Sequence, residues 1–143
     1  MILRPARLED APAIAGLSTQ LGYPINPEQA EERLRDLMDC TDGAVLVAEE
    51  EGTVIGWGHV VGVQRIETGQ SAEIVGLVVD ESHRGRGTGA KLVEAAVDWA
   101  VRHGFRTIRV RSNTVRERTH AFYERLGFKR TKTQVAFAKT IGP

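Results

Sequence analysis

Cysteine is almost absent: Cys40 is the single one in 143 residues. One thiol cannot make an internal disulfide framework or a cysteine metal cluster. Long apolar runs are missing too, and nothing approaches the roughly 18 residues of a transmembrane helix. The N-terminus, "MILRPARLED", lacks the apolar core and cleavage site of a signal peptide. Together these absences point to the cytoplasm and away from a membrane. Histidine is sparse, and His59, His83, His103 and His120 have no ligand spacing, so no metal site is expected. Aromatics are only 6%, which matters for the one sign of charge that is locally in excess.

That excess is hidden in a net charge of zero. Residues 1–51 hold 11 acidic and 4 basic side chains, whereas residues 52–143 hold 8 acidic and 15 basic. A basic half raises a nucleic-acid reading, but its charges come with few aromatics and no recognised motif, so no nucleic-acid partner is expected. The halves either meet ligands of opposite sign or are solvated faces that differ by chance. The acidic half includes Glu28, Glu31, Glu32, Asp36 and Asp39. If those residues wall a cleft, they would steer a cationic ligand; on an outer helix face they are only solvated.

What is present is enough for one domain over residues 1–143. Apolar residues at helical spacing (Ile14, Leu17, Leu21) predict a first helix closed by Gly22. Asn26, Pro27 and Gln29 read as cap, first-turn proline and N3 partner of a second helix. A hairpin turns at Glu51-Gly52, and "SAEIVGLVVD" is a strand with a continuous apolar centre. A helix to about His103 follows, with Leu92, Val93, Ala96, Trp99 and Ala100 on one face and Gly104-Phe105 as its C-terminal signal. "RTIRVRS" is a further strand. "TVRERTHAFYERL" is a helix opened by Thr114 and Glu117 and closed by Gly127-Phe128, and "FKRTKTQVAFAKT" is expected to add one or two final strands. The class is α+β, with one large sheet.

Between the apolar strand and the long helix lies "HRGRGTGAKL". Glycines let the backbone take positive φ and approach a ligand closely. The first N–H groups of a helix lack intrahelical partners, and its dipole favours an anion there. With Arg84 and Arg86 beside them, these residues suit a phosphate or pyrophosphate. The spacing fits neither a Rossmann fingerprint nor a P-loop. A plain glycine turn is the alternative.

In this context the stretch Arg84-Gly85-Arg86-Gly87-Thr88-Gly89 resembles the Arg/Gln-x-x-Gly-x-Gly/Ala signature of the GNAT superfamily of acetyl-CoA-dependent N-acetyltransferases. Asn113 after the next strand, and Phe122-Tyr123-Glu124-Arg125-Leu126-Gly127-Phe128 later, match a second feature of that family. The resemblance runs over essentially the whole chain. It implies a mixed, mostly antiparallel sheet flanked by about four helices, with a splayed central strand pair that binds the cofactor.

By the same resemblance, the backbone of Arg84, Gly85, Arg86, Gly87, Thr88 and Gly89 holds the pyrophosphate of acetyl-CoA, the acyl-donor co-substrate. Leu77, Val78 and Val79 pair with its pantetheine arm, and Asn113 contacts the pantetheine amides or acts only as a cap. Tyr123 matches the general acid that protonates the departing thiolate, with a packed aromatic as the alternative. Glu73 matches a glutamate base used by part of the family, where other members use ordered water. Trp57 either lines the acceptor site or packs on the sheet, with Gly56 and Gly58 signalling a bulge or close approach. The implied partner is a small-molecule or peptide amine, and the family allows a homodimer. No pattern activates Cys40, which favours direct attack over an acetyl-enzyme. A non-catalytic acyl-CoA-binding module is the alternative function; it has no need of a proton donor at Tyr123.

Overall fold

A computed structural model describes residues 1–112 and 117–143. They form two compact units, residues 1–111 and 112–143.

In the first unit, five strands lie in sequence order: β1 (Ile2–Pro5), β2 (Gly43–Glu50), β3 (Thr53–Arg65), β4 (Gly69–Val79) and β5 (Ile108–Val110). The first four pair antiparallel, and β5 pairs parallel to β4. Helices α1 (Ala11–Gln20) and α2 (Pro27–Met38) connect β1 to β2, and α3 (Thr88–Arg102) connects β4 to β5. The parallel pair requires that long crossover, since two parallel strands cannot be joined by a tight turn.

Two cores back the sheet, and they use alternate residues of the same strands. Val47 joins Ile14, Ala15, Ala30 and Leu34 of α1 and α2, with Trp57 packed alongside. Ala48 and Ile55 join Leu92 of α3. Gly56 and Gly58 belong to the α3 side. A Cβ at Gly56 would stand 3.2 Å from the Leu92 side chain and 3.0 Å from the Val78 carbonyl oxygen. Close approach therefore explains Gly56, whereas a Cβ at Gly58 would meet only ordinary contacts from 3.4 Å, and the register shifts fall nearby, at Ala48/Glu49 and His59/Val60.

The helix ends follow local chemistry. Asn26 Oδ1 accepts from the Gln29 amide at 2.8 Å, and Gln29 Oε1 accepts from the Asn26 amide at 3.0 Å, a closed capping box. At the end of α3, the Phe105 amide donates to Ala100 at 2.9 Å and the Gly104 amide to Val101 at 3.1 Å. The Phe105 ring then stacks on Trp99, centroids 5.7 Å apart.

The second unit holds α4 (Glu117–Arg125), followed by the turn in which the Phe128 amide donates to Tyr123 at 3.1 Å. Residues 129–143 form no strand, contrary to the expectation for "FKRTKTQVAFAKT". Alternating residues make a segment able to pair, but a ladder needs a partner edge. Here Val135, Phe137 and Ile141 stay exposed at 77%, 93% and 91%. β5 is consequently the edge strand of the described sheet. Thr114, expected to cap α4, lies outside the described residues.

Candidate active site

Strand β4 has β3 beside it along its whole length and β5 beside only part of it. Ala72, Glu73 and Ile74 pair with Ile108, Arg109 and Val110 of β5, and there the parallel ladder stops. Residues 75–79 continue beside β3, in the register Gly76 to His59, Leu77 to Gly58, Val78 to Trp57 and Val79 to Gly56. Their other edge has no strand partner among the described residues. The end of the ladder coincides with the bulge at Val75, which has no β3 partner of its own, since Ile74 pairs with Val60 and Gly76 with His59. An open edge presents N–H and C=O groups to any extended, amide-bearing chain. Leu77, Val78 and Val79 all lie on it, which fits the pantetheine arm.

The glycine loop follows directly. Gly85 and Gly87 sit at φ +81° and +83°, and Gly87 is the N-cap of α3. The space where each Cβ would stand is empty to 4 Å, so glycine is required here by conformation, not crowding. Left-handed residues leading into a helix turn successive N–H groups toward one concavity, an anion nest. Thr88 and Gly89 form the first turn of α3, and Thr88 is buried. Arg84 Nε donates to the Val79 carbonyl at 3.3 Å, and Arg86 lies 3.6 Å from Glu50. The loop residues as a group fit a pyrophosphate.

Asp80, which no sequence motif marks, anchors the loop. Its carboxylate accepts from Ser82 Oγ at 2.7 Å and Gln20 Nε2 at 2.9 Å, and lies 2.9 Å from His83 Nδ1. The hydrogen bond from Ser82, then those from Gln20 and His83, hold its pKa well below the usual carboxylate range. Gln20 Oε1 in turn accepts from the Glu81 amide at 3.0 Å. The end of α1 is thus tied to a loop far from it in sequence.

On the opposite face of the sheet from α3, a cavity of about 420 Å³ opens between α1, α2 and strands β2 to β4. Trp57 and His59 line it from β3, Val75 and Gly76 from the bulge, and Ala30, Arg33, Leu34 and Leu37 from α2. A Cβ on Gly76 would fall 2.6 Å from the Trp57 ring, so the indole lies close over the bulge. Burial depresses the His59 pKa below its ordinary 6.5, since a desolvated imidazolium is disfavoured. The acidic side chains Glu28, Glu31, Glu32, Asp36 and Asp39 are exposed and none lines the cavity. The expected acidic wall is therefore not built by α2. Its cavity-facing positions, 30, 33, 34 and 37, follow helical spacing and carry one charge, that of Arg33.

The burial of His59 has a measurable consequence. Below pH 6.5 the unfolded chain takes up a proton at His59 that the folded chain resists, so stability is full above that pH and declines as pH falls. Thermal unfolding between pH 7.5 and 5 is expected to show a steeper loss of Tm on acidification in the parent than in His59→Gln. Equal slopes would mean that the imidazole stays solvated.

Glu73 is buried, 8% exposed, and faces two guanidiniums, with Arg65 at 3.6 Å and Arg111 at 3.8 Å. It is not among the residues lining the cavity. In the second unit Tyr123 is buried, its ring edge-on to Phe122 and Phe128 at 5.0 and 5.5 Å. Desolvation pushes its phenol up to about 12, so it stays protonated at any physiological pH. Asn113 lies outside the described residues. Cys40 is exposed near the end of α2, its Sγ donating to the Asp36 carbonyl at 3.6 Å. Neither His59 nor Arg33 belongs to a sequence motif. The alternation in "WGH" places His59 on the same face as Trp57 and was the available signal for it.

Comparison with known proteins agrees with this architecture. Residues 13–128 match the Acetyltransferase (GNAT) family. The chain is 28% identical over 138 residues to the uncharacterized N-acetyltransferase YjgM of Escherichia coli, covering 90% of this chain and 81% of that protein. It is 34% identical over 67 residues to an uncharacterized N-acetyltransferase of Methanocaldococcus jannaschii, a match that spans 47% of this chain and 30% of that longer protein. The fold superposes on an aminoglycoside antibiotic 6'-N-acetyltransferase of Acinetobacter haemolyticus with a TM-score of 0.85 at 20% identity, over 99% of this chain and 100% of that one. With its family match extending from α1 through α4, the chain belongs to the GNAT acetyltransferase family.

Proposed function

We propose that this single domain of residues 1–143 is an N-acetyltransferase that moves the acetyl group of acetyl-CoA to an amine by direct attack within one ternary complex. The observation that carries the reading is the end of the β4–β5 ladder at Ile74, which leaves residues 75–79 without a second strand partner among the described residues, followed by the left-handed glycines of the loop. An open strand edge suits the amides of a pantetheine arm, and the loop suits its pyrophosphate.

The acceptor enters the cavity under α1 and α2, which reaches the bulge at Val75 and Gly76. The amine nitrogen forms a bond to the thioester carbonyl carbon and the C–S bond breaks. The proton lost by the amine passes to Glu73 through water, because Glu73 does not line the cavity. Tyr123 donates a hydrogen bond or proton to the departing thiolate. The pantetheine amides are held by Leu77, Val78 and Val79, with Asn113 as a further contact. Positioning of the two substrates supplies most of the rate, since little covalent work falls to the protein.

The test is thiol release from acetyl-CoA against a panel of amines, with initial rates measured over a grid of both substrates. Intersecting lines in the double-reciprocal plot are expected for a ternary complex. Parallel lines would overturn direct attack. Tight acetyl-CoA binding with no thiol release across the panel would favour a binding module instead.

A further inference from the structure

We infer that the acceptor cavity selects an amine carried on an apolar body whose far end is a carboxylate, held by Arg33. The inference rests on reading this cavity as the acceptor site.

The cavity lining carries three kinds of chemistry. The bulge at Val75 and Gly76, beside the open strand edge, is one part of it. An aliphatic and aromatic stretch, with Ile14, Leu34, Leu37 and Trp57, is another. A body that fills this stretch must bring mostly apolar surface, because a charge there would be desolvated; the uncharged polar side-chain groups of the lining include the Tyr23 hydroxyl, the His59 imidazole and the buried Trp57 Nε1, which has no partner among the described residues. Ser18 does not change this, since its hydroxyl already donates to the Ile14 carbonyl at 2.7 Å.

The third part is Arg33, a cavity-lining residue of α2 that is itself exposed. Its neighbour Arg35 is engaged with Glu31 at 3.3 Å, but Arg33 has no ion pair among the described residues. A guanidinium is a planar fork matched to a carboxylate, and it costs less to desolvate than an ammonium. His59 adds no opposing charge, because burial favours its neutral form. No aspartate or glutamate is among the lining residues, so a polyamine would meet a cation and an apolar wall. The electrostatics thus reverse the preference that the acidic composition of the first half suggests.

Three amines of equal chain length separate the possibilities: ω-aminohexanoate, hexylamine and hexamethylenediamine. They differ at the far end only, which is anionic, neutral or cationic. In the parent, kcat/KM is expected to fall in that order, by about tenfold from first to last, the scale of one charge-assisted hydrogen bond made and one like-charge repulsion avoided. Arg33→Glu is expected to invert the order, and Arg33→Gln to bring aminohexanoate and hexylamine within about twofold of each other. An unchanged order in Arg33→Glu, or a parent preference for the diamine, would overturn the inference.

Calorimetric titration of the same amines, with coenzyme A present, keeps this test apart from the transferase reading. Binding in the expected order without acetyl transfer would uphold the cavity assignment and count against the transferase reading. Equal affinities, reversed affinities or no binding of any of the three would refute the assignment, whether or not transfer occurs with other amines.

Discussion

Tyr123→Phe is expected to lower kcat about 10²-fold while leaving the acetyl-CoA dissociation constant within about twofold. The ring is kept, so its edge-on contacts with Phe122 and Phe128 survive and the fold has no reason to change. Only the hydroxyl is lost. The size of the effect follows from acidity. Burial raises this phenol to about 12, whereas an ordinary thiol titrates near about 8.5. Complete transfer to a free thiolate would therefore be uphill by about 5 kcal/mol. The hydroxyl is best used as a hydrogen-bond donor while charge builds on sulfur, which places the loss at the low end for general acids, about 10² to 10⁴-fold. The same acidity predicts no limb from Tyr123 in the pH–rate profile below pH 10. Turnover of the Phe variant at the parent rate would reduce Tyr123 to a packing residue.

Gly87→Val is expected to weaken acetyl-CoA binding by at least about tenfold, and here strain must be separated from obstruction. Gly87 sits at φ +83°, where a β-branched residue is an outlier costing about 1–3 kcal/mol. Part of any effect is therefore lost stability. Gly104, at the other end of α3, has the same φ of +83° and the same empty space around its missing Cβ. Gly104→Val thus carries a matched strain without touching the loop. Both variants are expected to melt at similarly reduced temperatures, and only Gly87→Val to lose cofactor affinity by calorimetry. Equal loss in both, or in neither, would remove the pyrophosphate from this loop.

Much of this molecule is local and legible in the chain itself. The Asn26–Gln29 capping box, the Gly104-Phe105 stop and the hairpin at Glu51-Gly52 depend on neighbours within a few residues. Short-range chemistry suffices to place them. The glycine loop is legible for the same reason, since positive φ and a following helix are properties of a short segment. The motifs around Arg84 and Tyr123 also carry the family, because they are contiguous.

What sequence could not decide depends on which surfaces meet. The acidic composition of residues 1–51 points to a cationic acceptor, yet the phase of α2 against the sheet turns those carboxylates to solvent and Arg33 to the cavity. A composition count has no direction; a helix face does. Glu73 can be recognised as a strand glutamate, but its two arginine partners come from the end of β3 and the residue after β5. The Asp80 tether joins residues sixty positions apart, Gln20 and Asp80. The tail at 129–143 alternates like a strand, but pairing requires an edge that no local pattern supplies. By itself, then, the sequence determined most of the elements, their caps and the glycine loop at positive φ, because those energies are local. Tertiary structure alone decided where the β4–β5 ladder ends, which face of α2 meets the cavity and which histidine is desolvated, because each is set by packing between segments distant in the chain.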